Sequence, residues 1–264
     1  MMTRNNTAPP SAQSEEESAA MTLIEHLVEL RGRLVKAGIG VIIGLAVGLF
    51  LVLGPLKLVD IIITTFAVTD RNYAPVQSVG TTEAFTSYMT VALTVGIILA
   101  MPVIVFQLLA FIVPGLHDDE RKILFRALPF VTLFFLSGVA FGWFITVPTA
   151  IKFLIGFSDS AFVQTQPTLS DFLGTVTTLL LMNGIVFELP VIIYVLAFLG
   201  VITAKQLAQY RRFALVIVVI VAALITPTGD PINLMLLAAP MYLLYELGVI
   251  LARFVPKSRQ PVES

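Results

Sequence analysis

Two stretches of this chain, Ala84–Leu116 and Ala127–Ile151, contain no charged residue. A helix needs ~20 apolar residues to cross a hydrocarbon core of ~30 Å, so each stretch is long enough to span a bilayer. A membrane β-barrel is excluded, because the runs are continuously apolar and do not alternate. Composition points the same way. Of 264 residues, 57% are hydrophobic and 12% charged, too few charges to cover a water-soluble domain of this size. The chain is read as an all-α integral membrane protein.

The polar N-terminus, with Glu15-Glu16-Glu17, lacks a basic segment followed by an apolar one, so it does not read as a cleaved signal peptide. Residues 1–20 are expected to be a disordered tail, 21–255 a membrane domain, and 256–264 a second tail. Leu23, Leu27, Leu30 and Leu34 recur at helical spacing, predicting an amphipathic helix over 21–36 that runs into a first span, Ala37–Leu53. Gly40, Gly44 and Gly48 in that span have the small-xxx-small spacing of close helix packing, more often simple packing than a dimer face. A short surface helix is expected from Leu56 to Phe66, and Thr82-Glu83 reads as the next helix start.

The second span should run through Met101-Pro102 as a kinked helix. The third is expected over Leu128–Phe153. The fourth is expected over Phe172–Leu199, capped by Leu169-Ser170-Asp171 and ended by Gly200. The last two apolar runs, Phe213–Thr226 and Pro231–Tyr245, are short for a bilayer, although the sixth helix can extend past Glu246 to Phe254. Six spans follow. The tail, the 112–126 hairpin, the 200–212 loop and the C-terminus carry 13 of the 16 Lys and Arg residues, leaving Lys57, Arg71 and Lys152 for the other side. The positive-inside rule then places both termini in the cytoplasm.

The hairpin between the two charge-free runs carries Asp118-Asp119-Glu120 on that same basic side. Such acids either receive something cationic or complement the dipole of the next helix from its first turn. Glu29 has two readings as well. It can form an i,i+4 ion pair with Arg33, or point toward Glu120 and make an acidic site able to hold a pair of arginines. Glu188 is a carboxyl near the middle of the fourth helix, where an ionised carboxylate costs ~2.5–3.5 kcal/mol. It belongs either to a polar groove serving a ligand or proton, or to a structural hydrogen bond.

Enzyme signatures are not found in the sequence. There is no H-E-x-x-H, no phosphate loop and no cysteine; the two histidines are His26 and His117. Gly229-Asp230 is half of an aspartyl intramembrane protease site with no second buried Asp. No catalytic residue, metal site, cofactor or nucleic-acid partner is therefore expected.

The segment His26-Leu-Val-Glu-Leu-Arg-Gly-Arg-Leu34 resembles the N-terminal HLxELRxRL motif of the TatC family, the multi-spanning subunit of the twin-arginine protein translocase. The resemblance continues through Thr82-Glu-Ala-Phe85, Pro102–Leu116, Glu120-Arg121, Phe187-Glu-Leu-Pro190, Thr226-Pro-x-x-Asp230 and Pro240–Gly248. Asp118-Asp119 departs from the family pattern, as does Thr81. The resemblance implies a curved, glove-like six-helix bundle in the bacterial inner membrane, with short fifth and sixth helices. It implies a receptor for twin-arginine signal peptides that exports folded proteins on the proton-motive force. It carries over Glu29 and Glu120 as recognition carboxylates, with Arg31 and Phe111 in the same site, and Glu188 as the polar residue of the groove. Thr226, Asp230 and Asn233 mark where single-span TatA/TatB-type subunits would dock in a multimeric complex. The rival reading is a proton-coupled small-molecule transporter with Glu188 as coupling residue, against which the spans show no internal repeat.

Overall fold

The computed structural model describes residues 12–67, 76–112, 118–156, 166–226 and 231–255. Among them the chain is helical apart from short connections and one isolated bridge. Helix α1 spans Ala12–Leu53, so the amphipathic segment and the first span form one rod. It starts inside the stretch expected to be an unstructured tail. Ala12, Gln13 and Glu15–Glu17 are good helix formers, and acids near a helix N-terminus complement its dipole. The expected short helix is α2, Leu58–Ala67: Val59, Ile62 and Phe66 are buried while Asp60, Ile61, Thr64 and Thr65 face outward.

Helix α3, Glu83–Ile112, starts at Glu83 and continues through Pro102. It is the main partner of α1. The contact is set by glycine: a Cβ on Gly44 would lie 2.3 Å from the Gly96 carbonyl oxygen, and one on Gly48 2.2 Å from that of Ala92. The small-residue stripe is therefore an intramolecular packing face, and α1 and α3 run antiparallel.

The third span is not one regular helix. It is α4, Asp118–Phe141, a single π-helical turn, Gly142–Thr146, and α5, Val147–Gly156. The Val147 N–H bonds the Gly142 carbonyl, a wider register. Pro148 follows directly; it has no N–H to give and would crowd the carbonyl one turn back, so the register widens just before it.

The fourth span is also divided, into α6, Leu169–Phe187, and α7, Leu189–Phe198, meeting at Glu188. Pro190 occupies the first turn of α7, where a missing N–H costs nothing. The cap of α6 differs from the expected Leu169-Ser170-Asp171: the Thr168 side chain accepts from the Asp171 N–H at 3.2 Å. Gly200 ends α7 with φ 71°. Its N–H reaches Ala197 O while that of Val201 reaches Leu196 O, a Schellman closure.

Helix α8, Ala204–Gln209, carries a Thr203–Gln206 capping box and leads into α9, Arg211–Ile225. With 15 residues α9 is about 22 Å long, short of a ~30 Å core. Helix α10, Pro231–Arg253, has 23 residues and reaches the full thickness, so of the two final helices only α9 is short. Among the described residues five apolar segments are long enough to cross a membrane: Leu27–Leu53, Glu83–Leu108, Pro129–Gly156, Leu169–Phe198 and Leu234–Arg253.

The largest core cluster joins α1, α2, α3, α5 and α6 around Val91, Val147, Phe172, Leu173 and Val176. Trp143 in the π-turn meets Phe66 edge-on at 4.8 Å. A second cluster closes α9 and α10 over Val186, with Val218, Leu237 and Met241 buried. Large apolar side chains elsewhere point outward, such as Ile42 and Ile43 on α1 and Leu224 on α9, as lipid contact requires.

Candidate functional site

Glu29 lies on α1 one turn before Arg33, and both are partly buried. The Arg33 Nε donates to Glu29 Oε1 at 3.0 Å and Nη2 donates to the same oxygen. The local ion pair is therefore formed. Arg31 is exposed, and Phe111, near the end of α3, is partly buried. Glu120 belongs to the first turn of α4 together with Asp118 and Asp119. The side chains of Glu120 and Asn233, and all of Asp230, lie outside the described residues. Helices α1 and α4 both pack against α3.

Glu188 is only 5% exposed. Its N–H donates to Ile185 O at 3.1 Å, but its Oε1 is shielded and has no hydrogen-bond partner among the described residues. The structural hydrogen bond between helices is thus not made at that oxygen. Glu188 also does not line the groove of about 430 Å³ that runs along the N-terminal half of α6, lined by Ser170, Asp171, Gly174, Thr175, Thr178, Leu179 and Ile225.

Thr226 caps α9 from a buried position, and its hydroxyl donates back to Ala222 O. Its side chain is satisfied within its own helix and offers nothing outward. The outward surface of α9 is apolar, with Ile217, Ile220 and Leu224 exposed.

Three polar contacts were not anticipated. The carboxylate of Glu83 accepts from the Val79 and Gly80 amides at 2.6 and 3.1 Å, and from the Ser170 amide at 2.9 Å. Beside it, Leu169 N donates to Gln77 O at 2.8 Å, so the segments before α3 and before α6 are clasped together. Asn183, fully buried, donates to Leu179 O at 2.8 Å and accepts from Thr146 Oγ1 at 3.3 Å, linking α6 to the π-turn. Arg211 reaches Glu246 at 2.8 Å, and Tyr242 donates to the same carboxylate at 3.1 Å. A lone Asn inside an apolar run was the visible signal for the second. The others join residues remote in sequence and carry no local signature.

A chain whose described residues form helices joined by short connections, with five of membrane length and lipid-compatible outer faces among them, is a multi-pass membrane protein. The family profile described as Sec-independent protein translocase protein (TatC) matches residues 25–240. A protein of that name from Deinococcus radiodurans is 37% identical over 257 residues, covering 93% of this chain and 88% of the relative. One from Carboxydothermus hydrogenoformans is 34% identical over 239 residues, covering 90% and 96%. A crystal structure of the twin arginine translocase receptor TatC superposes with a TM-score of 0.72 at 31% identity, covering 87% of this chain and 99% of that one. The same receptor in DDM gives 0.75 at 32%, covering 86% and 99%. The chain belongs to the TatC family.

Proposed function

We propose that this chain is the receptor subunit of a Sec-independent translocase of the bacterial cytoplasmic membrane, binding twin-arginine signal peptides of folded precursors. Six crossings with both termini cytoplasmic fit the distribution of Lys and Arg, with α9 as the short fifth crossing that thins the bilayer or meets another protein. The observation that carries the reading is the end-to-end similarity to TatC, which includes the segments holding Glu29, Phe111, Glu120 and Glu188.

The packing supports a common site at one end of the bundle. Helices α1 and α3 pair Gly44 with Gly96 and Gly48 with Ala92. Continued down α1, that antiparallel course runs from Gly44 toward Glu29 as α3 runs from Gly96 toward Phe111, and Glu120 follows in the next helix. Glu29 and Glu120 each take one guanidinium of the guest, with Arg31 and Phe111 beside them. The apolar part of the signal peptide lies along the bundle toward Glu188. Single-span TatA/TatB-type partners dock at the corner of Thr226, Asp230 and Asn233, using the apolar face of α9 rather than the Thr226 hydroxyl. Transport draws on the proton-motive force, and the working unit is multimeric.

The test is photo-crosslinking of an Arg-Arg signal peptide to this chain in membrane vesicles. Glu29→Ala and Glu120→Ala each abolish the crosslink; normal crosslinking in both variants overturns the site. The Glu188 oxygen that has no partner among the described residues favours one rival, a proton-coupled small-molecule carrier. Solute uptake by the purified chain in liposomes, lost in Glu188→Gln, would decide for it.

A further inference from the structure

Arg33 and the expected guest present the same group to the same carboxylate. Its guanidinium places Nε and Nη2 on Oε1 of Glu29, and no described hydrogen bond reaches Oε2. We infer that Arg33 is a resident competitor at Glu29, a built-in stand-in for the guest arginine that sets the threshold for binding. This rests on the reading of Glu29 as a recognition carboxylate.

The argument is one of exchange. A guest arginine arriving at Glu29 does not meet a bare carboxylate; it replaces one charge-assisted fork by another. The gain at this position is therefore only a difference between two similar pairs. A ligand with a single cation gains little by the trade. A ligand with a second guanidinium, placed on a second acid, adds the contact made there to that small difference. The resident pair thus holds single-cation guests below threshold. It also keeps Glu29 neutralised at rest, which spares a partly buried carboxylate from standing alone. Because the pair is one helical turn apart on one helix, its strength is modest and the exchange is cheap. Arg31, two residues earlier, is exposed and makes no described contact with Glu29, so it does not take part in the exchange.

The experiment is a double-mutant cycle on ligand affinity. A fluorescent synthetic signal peptide carrying Arg-Arg before an apolar segment is titrated onto vesicles containing the full chain. The variants are wild type, Arg33→Gln, Glu29→Gln and the double variant, with Arg33→Lys as a charge-retaining control. Arg33→Gln is expected to tighten binding about twofold, the strength of an i,i+4 pair. Arg33→Lys falls between it and wild type. In the Glu29→Gln background the Arg33 substitution has no effect, because there is no carboxylate left to compete for. The inference is overturned if Arg33→Gln leaves affinity unchanged. It is overturned if that variant, still folded by its melting curve, binds more weakly, since Arg33 then supports Glu29 rather than competing for it. It is also overturned if the gain persists in the Glu29→Gln background, where only a general charge effect survives. Should Glu29→Gln alone bind like wild type, the receptor reading of Glu29 fails, whatever Arg33 does.

Discussion

Glu83, the first residue of α3, accepts a hydrogen bond at 2.9 Å from the backbone N–H of Ser170, in the first turn of α6. Its other oxygen takes the Val79 and Gly80 amides, so one carboxylate joins two connections that are far apart in sequence. Glu83→Ala is expected to lower the melting temperature in detergent and to expose the 76–82 segment to protease. Glu83→Gln should do less, since one acceptor oxygen remains. An unchanged digestion pattern in Glu83→Ala would show that the clasp holds nothing.

The α1–α3 contact makes a prediction of opposite signs. Gly48 has no room for a side chain, its Cβ position lying 2.2 Å from the Ala92 oxygen, so Gly48→Val must push two backbones apart. Overpacking of this kind costs ~1–3 kcal/mol or more. Gly38, with nothing within 4 Å, should accept Ala and gain up to ~1 kcal/mol of helix propensity. Melting curves of the two variants should move in opposite directions.

Asn183 and Thr146 face one another inside the bundle at 3.3 Å. Hydrogen bonds between membrane helices average ~0.6 kcal/mol and reach ~1.7. A cycle of Asn183→Ala and Thr146→Val should return a coupling energy in that range from unfolding measurements. Strict additivity would mean the pair is not formed in the folded protein.

The ion pair between Arg211 and Glu246 ties the start of α9 to α10. Partly exposed pairs are worth ~0.2–1 kcal/mol. Either single substitution to Gln should cost about that much stability, and the exchanged pair, Arg211→Glu with Glu246→Arg, should recover part of it. Rising salt should narrow the difference between wild type and single variants.

Glu188 should prove dispensable for folding. Its shielded oxygen lacks a described partner, and an unsatisfied buried polar atom costs ~1–3 kcal/mol. Glu188→Leu is therefore expected to be at least as stable as wild type, read by thermal unfolding in detergent. Clear destabilisation would mean that the carboxyl is held by a contact that stabilises the bundle.

Much of this architecture was legible along the chain because its signals are local. Glu83 as a helix start, Gly200 as a helix end and the continuous apolar runs each follow from a few neighbouring residues. The breaks were harder. Pro190 and Pro148 were visible, but whether a proline kinks, widens or divides a helix depends on what its neighbours can absorb; here one span divides at Glu188 and the other takes a π-turn. At the site, the Glu29–Arg33 pair follows from i,i+4 spacing, whereas the outward Ile220 and inward Thr226 of α9 depend on how α10 packs across it.

What the amino-acid order determined alone is the solvent and the elements: without charges over a bilayer's thickness, a segment must satisfy its backbone within itself, and only a helix does so. What tertiary structure decided is which helices touch and at what height. Gly44 meets Gly96, Glu83 meets Ser170 and Arg211 meets Glu246 because whole helices dock in one register, and that register is a sum over many contacts that no short segment contains.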